Sequence, residues 1–80
     1  MEKIDLLVQT KSSVCVVEIK RQTRILASVE NDVREKVRRL ALPRSRSVRT
    51  ALVYEGRLAP EIAENAYFDF LVPAERLLRP

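Results

Sequence analysis

The chain opens with two runs of aliphatic and β-branched residues, "KIDLLVQT" (3–10) and "SVCVVEIKRQ" (13–22), set around the polar "KSS". Neither run has helical spacing, and the pair predicts an antiparallel hairpin. From Ser28 the period changes. Val29, Val33, Val37 and Leu40 recur at helical spacing, Glu30, Asp32 and Glu35 suit the positive end of a helix, and Ser28 is placed to cap it. An amphipathic helix ending before Pro43 is expected. "SVRTALVYEG" then reads as a third strand closed by Gly56, Pro60 opens a short helix "PEIAEN", and "YFDFLVP" reads as a last strand. A final short turn, "PAERLL", begins at Pro73. The expected order is β-β-α-β-α-β. A helix joining strands two and three calls for a right-handed crossover and a parallel pair, so the fold class is α/β with a small mixed sheet.

Composition narrows the functions open to such a chain. Eighty residues predict one domain, and a core of that size supplies only about 3–5 kcal/mol of net stability, which favours help from a partner. A formal charge of +4 tilts the expectation mildly toward a polyanionic partner. The single cysteine, Cys15, excludes an internal disulfide, and the absence of histidine removes zinc sites built on imidazole and serine-histidine catalysis. No segment approaches the ~20 apolar residues of a membrane span, and the start "MEKIDLLVQTK" lacks a signal-peptide pattern, so the expected location is cytoplasmic. No internal repeat, linker or low-complexity stretch interrupts the chain.

Each run of the hairpin carries one acid. In a symmetric hairpin turning between Lys11 and Ser12, opposed residues have numbers summing to 23, which sets Asp5 across from Glu18. Alternation puts Asp5, Leu7 and Gln9 on one face with Val14, Val16, Glu18, Lys20 and Gln22; Ile4, Leu6, Val8, Cys15, Val17 and Ile19 take the other. Opposed carboxylates repel unless a cation lies between them, and Mg²⁺ or Mn²⁺, held by oxygen ligands, suits that place. Lys20, one pleat along, could orient a water or steady developing phosphate charge.

"ID" followed by "VVEIK" at the end of the next strand resembles the D…(D/E)xK core of the restriction endonuclease-like PD-(D/E)xK nuclease superfamily, with Asp5, Glu18 and Lys20 at the motif positions. The following "RQ", helix and strand are similar to that superfamily's order. The text from "VRTALVYEG" to "PAERLL" looks like the C-terminal nuclease-like segments attached to some prokaryotic AAA-type ATPases. The resemblance implies a truncated nuclease core with catalytic Asp5, Glu18 and Lys20, a metal held by Asp5 and Glu18, and hydrolysis of DNA phosphodiesters. Family members usually place a helix and a strand before the aspartate, which here is the fifth residue. The departure implies a sheet edge that a second copy or another chain, such as an ATPase, would cover.

Other residues carry weaker signals. The stretch from Arg34 to Arg49 is basic; in its helix the i, i+4 pairs Glu30–Arg34, Asp32–Lys36 and Glu35–Arg39 offer internal partners, whereas Arg44, Arg46 and Arg49 in the loop are candidates for phosphate contact. Cys15 reads as an inert core residue, and Tyr67, Phe68 and Phe70 as packing residues of the last strand. Gln22 fits an extra polar position of the family or a solvated strand end. Two functions follow: a Mg²⁺-dependent nuclease domain, or a catalytically inactive remnant of that fold used for DNA binding or protein assembly.

Overall fold

In the computed structural model, which describes residues 4–40, 42 and 44–78, the first hairpin closes at Thr10–Ser13. The Thr10 backbone N–H donates to the Ser13 carbonyl (2.9 Å), and the Ser13 N–H donates to the Thr10 hydroxyl (3.0 Å). This turn sets β1 (Leu6–Gln9) against β2 (Ser13–Ile25) with Leu6 opposite Val17 and Gln9 opposite Val14, the register in which paired numbers sum to 23. Lys3 and Pro43, placed by the sequence reading at the first strand's start and just past the helix, lie outside the described residues.

After β2 come α1 (Ser28–Arg39), β3 (Ser47–Leu58), α2 (Pro60–Asn65), β4 (Phe70–Pro73) and α3 (Ala74–Leu78), forming a small mixed α/β fold. The four strands lie in the order β1-β2-β3-β4, β1 antiparallel to β2 and the other neighbours parallel, so β1 is an edge strand. Ser28 is the first helical residue rather than the cap. The residue at the cap, Ala27, has no side-chain acceptor, and the N–H groups of Val29 and Glu30 donate instead to the carbonyls of Leu26 and Ala27 in a tight lead-in turn.

Which sheet face the crossover helix covers decides what is core. Val14, Val16, Ile25 and Leu52 of the sheet pack with Val29 and Val33 of α1, Ile62 of α2 and Phe68 as one buried cluster. Each fully buried aliphatic side chain of this kind contributes about 1.5–3 kcal/mol. The covered face is therefore the one that carries Glu18. On the opposite face Leu6 (50% exposed), Val8 (46%), Ile19 (47%) and Phe70 (53%) reach solvent, while Val17 and Ala51 between them are buried. Cys15 lies on that side, half-buried, and is not a member of the core cluster. Nor do the three aromatic residues act together: the strand begins only at Phe70, which is exposed, while Phe68 turns into the core and meets Tyr67 edge-on (centroids 5.1 Å apart).

Gly56 does not end the third strand; β3 runs through it to Leu58. The pairing with β2 shifts there, from Arg21 opposite Glu55 to Arg24 opposite Arg57, so two residues of β2 bulge against Gly56 alone. At φ +127° a Cβ on Gly56 would lie 1.6 Å from the Gln22 carbonyl oxygen. Glycine is required by both conformation and space. The extra residue also reverses the alternation of β2: even-numbered Val14, Val16 and Glu18 face inward before the bulge, and odd-numbered Ile25 faces inward after it.

Candidate functional site

Glu18 is a charged residue in a core position. Its neighbours in alternation, Val14 and Val16, are buried by α1, and the same packing leaves Glu18 only 3% exposed. A carboxylate removed from water needs a charged partner and hydrogen bonds. Helix α1 supplies them. Lys36 lies along the helical stripe of Val29 and Val33, and its Nζ donates to both carboxylate oxygens of Glu18, at 3.1 Å (Oε1) and 3.2 Å (Oε2). Lys20, two residues along β2 on the same face, places its Nζ 3.8 Å from Oε2. Glu18, Lys20 and Lys36, with Asp32 and Glu35, line a cleft of about 310 Å³ along the β2–α1 seam.

Asp5 immediately precedes β1, one step beyond the Leu6–Val17 pair and so across from Glu18 in register. Its carboxylate Oδ2 accepts the Ile19 backbone N–H at 2.8 Å. Asp69 makes the same arrangement at the start of β4: it immediately precedes Phe70, and its Oδ2 accepts the Thr50 backbone N–H at 2.8 Å. In both places an aspartate extends the hydrogen-bond ladder of a neighbouring strand by a side-chain oxygen. Asp69 carries no motif, so the bond Asp5 makes has a purely architectural counterpart within the same sheet.

The expected metal centre finds a poor set of donors. Both oxygens of Glu18 are engaged by the Lys36 ammonium, and Asp5 is turned onto backbone. Among the described residues no group of three or more acids or cysteines is placed to hold an ion. The residues therefore do not fit a divalent cation as they stand. Lys36 escaped the sequence reading, which paired it with Asp32. The signal was present: a lysine in register with two inward-facing valines lies on the buried stripe and demands a carboxylate opposite.

The remaining helix pairs divide. Glu35 binds both Arg38 and Arg39, and the Arg38 hydrogen bond, opposed by slight desolvation, holds its carboxyl below the usual range. Glu30 does not pair with Arg34. It is buried, with Oε1 accepting from the Asn65 amide (2.9 Å) and Oε2 lacking a hydrogen-bond partner among the described residues. Arg34 lies over the Tyr67 ring instead, 4.5 Å from its centroid. Burial, partly offset by that guanidinium, raises the Tyr67 phenol.

The basic loop lies at the other end of the strands. Arg46 donates to the Gln9 side chain (2.9 Å), Ser47 donates to the Ser12 carbonyl, and Arg49 pairs with Asp69 at 3.7 Å. Arg44 is exposed. Ser13 faces Ser47 at this end, and Glu18 lies five residues further along β2, about 16 Å at ~3.3 Å per residue. The fold thus brings Glu18, Lys20 and Lys36 together and leaves Arg44, Arg46 and Arg49 apart from them.

Among the described residues no helix is long and apolar enough to cross a membrane. Comparisons with protein-family models, curated proteins and solved structures return no match to this chain.

Proposed function

We propose that this chain is a non-hydrolytic module of nuclease-like design that serves protein assembly, retaining the Asp5, Glu18 and Lys20 pattern without working as a phosphodiesterase. One observation carries the reading: the Glu18 carboxylate is neutralised from within by Lys36 on both oxygens, with Lys20 beside it. A buried acid so paired needs no metal. Assembly is favoured over DNA binding as the role because the sheet face opposite α1 exposes the apolar Leu6, Val8, Ile19 and Phe70, whereas Arg46 of the basic loop and Arg49 of β3 already hold Gln9 and Asp69.

A hydrolytic reading keeps one specific support. The hairpin register sets Asp5 across from Glu18, with Lys20 on the same face as Glu18, the disposition a Mg²⁺- or Mn²⁺-dependent nuclease of DNA would use. Incubating the chain with supercoiled plasmid and either ion separates the two. The assembly reading expects no nicking above a Glu18→Gln control. Metal-dependent nicking lost in that control establishes the nuclease instead. Anisotropy of a labelled DNA duplex, with Arg44, Arg46 and Arg49 replaced by alanine, measures any contribution of the loop to nucleic-acid binding.

A further inference from the structure

The disagreement between the acid motif and its surroundings leads to an inference about Lys36. We propose that the Lys36 ammonium is a built-in substitute for the divalent cation: it occupies the coordinating side of Glu18, excludes the ion, and conceals a latent cation site that loss of this one charge would open. This rests on the proposed non-hydrolytic reading and names the residue responsible for it.

The geometry makes the two occupants mutually exclusive. Lys36 Nζ straddles Oε1 and Oε2 at nearly equal distances, 3.1 and 3.2 Å, the position from which a cation would engage both oxygens. Mg²⁺ requires oxygen contacts at ~2.0–2.1 Å and keeps several of its waters. It cannot approach Glu18 on that side while an ammonium remains there, and the two positive charges repel each other. Only one of them can serve the carboxylate.

The surroundings also explain why the lysine prevails. Lys36 is tethered on α1 by the packing of Val29 and Val33, so its ammonium is delivered to Glu18 by folding rather than drawn from solution. Removing it changes the balance of the cleft. Its five lining residues comprise three acids (Glu18, Asp32, Glu35) and two lysines (Lys20, Lys36); without Lys36 the three acids face one lysine. Glu35 remains occupied by Arg38 and Arg39, which leaves Glu18 and Asp32 as the acids open to an ion. The cleft's volume of about 310 Å³ admits a hydrated cation.

Lys36→Met removes the charge and keeps most of the apolar stem; Lys36→Gln retains a hydrogen-bond donor and serves where the first variant folds poorly. Thermal unfolding and calorimetric titration with MnCl₂ or MgCl₂ are compared for wild type, both variants, and each variant combined with Glu18→Gln. The wild type is expected to be indifferent to millimolar ion. The neutral variants should melt lower without metal and recover with it, with half-saturation at an ion concentration well below any wild-type response. Adding Glu18→Gln should abolish the recovery. A folded neutral variant as indifferent as the wild type overturns the inference, as does a wild type that binds the ion as tightly as the variants. Plasmid nicking by the wild type would defeat the non-hydrolytic reading, and is a separate measurement from either.

Discussion

Lys36 of α1 and Glu18 of β2 join the helical layer to the sheet by a two-oxygen contact, with Nζ 3.1 and 3.2 Å from the carboxylate oxygens. The contact forms because α1 packs on the acid-bearing face, so the carboxylate is buried by the same valines that aim the lysine at it. Sheet, helix and charge pair are therefore one device. The helix cannot leave its place without exposing Val29 and Val33 and stranding Glu18.

Breaking this pair from the lysine side should be costly. Lys36→Met leaves Glu18 buried with Lys20 alone nearby at 3.8 Å, and a loss of about 3 kcal/mol is expected, the lower end for one-sided removal of a buried partner. Removing both charges, in Glu18→Leu with Lys36→Met, should restore most of that loss, since neither polar group then remains unpaired. Urea unfolding of the two single variants and the double variant closes the cycle. Independent, additive losses would mean that the contact contributes nothing specific.

Gly56 offers a test of the bulge. Gly56→Ala sets a Cβ 1.6 Å from the Gln22 carbonyl oxygen at a φ that L side chains rarely adopt, and the obstacle is backbone rather than a movable side chain. A loss of at least about 3 kcal/mol is expected. Deleting one residue of the bulge in the same chain, at Thr23, should relieve the clash and keep Ile25 facing inward opposite Leu58, so it should recover part of the loss. Neither variant should reach wild-type stability in denaturant titration; an alanine variant that matched the wild type would remove the bulge's claim on glycine.

The sequence carried the hairpin register and the mixed α/β character because both follow from local rules, the length of the turn and the periods 2 and 3.6. The covered face could not be read from alternation alone, because both faces of β2 are largely apolar: Val14 and Val16 on one, Cys15, Val17 and Ile19 on the other. Choosing the acid-free face as core is the natural inference and is wrong for Cys15. The bulge was hidden for a related reason. Its mark, Gly56, is also what a strand end would show. As for the candidate site, the Glu18–Lys20 neighbourhood was legible, but Lys36 was not, since an i, i+4 acid offered it a nearer partner than the one tertiary packing provides.

The Cys15 thiol gives a pH-dependent signature. Burial, and then the negative charge of Asp69, raise its pKa above the ordinary value. The folded chain thus holds the thiol proton more tightly than the unfolded chain does. That contribution to stability is fully present below the ordinary thiol value, about 8.5, and is lost as pH rises through the raised native value. Stability should fall more between pH 8 and 10 in the wild type than in Cys15→Ala. Alkylation by iodoacetamide at pH 8 should be slower in the native chain than in the denatured one, and Asp69→Asn, which keeps an oxygen for the Thr50 N–H, should speed it. Equal rates in the native chain and its Asp69→Asn variant would exclude the charge as a cause.

The sheet face opposite α1 bears on assembly. Leu6 and Val8 of β1, Ile19 of β2 and Phe70 of β4 lie on it, each about half exposed, and on β3 Arg49 shares it, paired with Asp69. Two copies can stack the apolar part of such faces about 10 Å apart with strands within ~30°. A homo-dimer formed through this face is therefore expected, with the sedimentation coefficient rising over the micromolar range. Ile19→Lys places a charge at the centre of the contact and should hold the chain monomeric. Because Ile19 lies outside the core cluster, the same change should alter monomer stability by no more than about 1 kcal/mol. Phe70→Ser, two strands away, should weaken association without introducing charge, which distinguishes loss of apolar contact from simple repulsion. A wild type that sediments as a monomer up to several hundred micromolar, or an Ile19→Lys chain that associates as before, would show that two copies do not meet on this face.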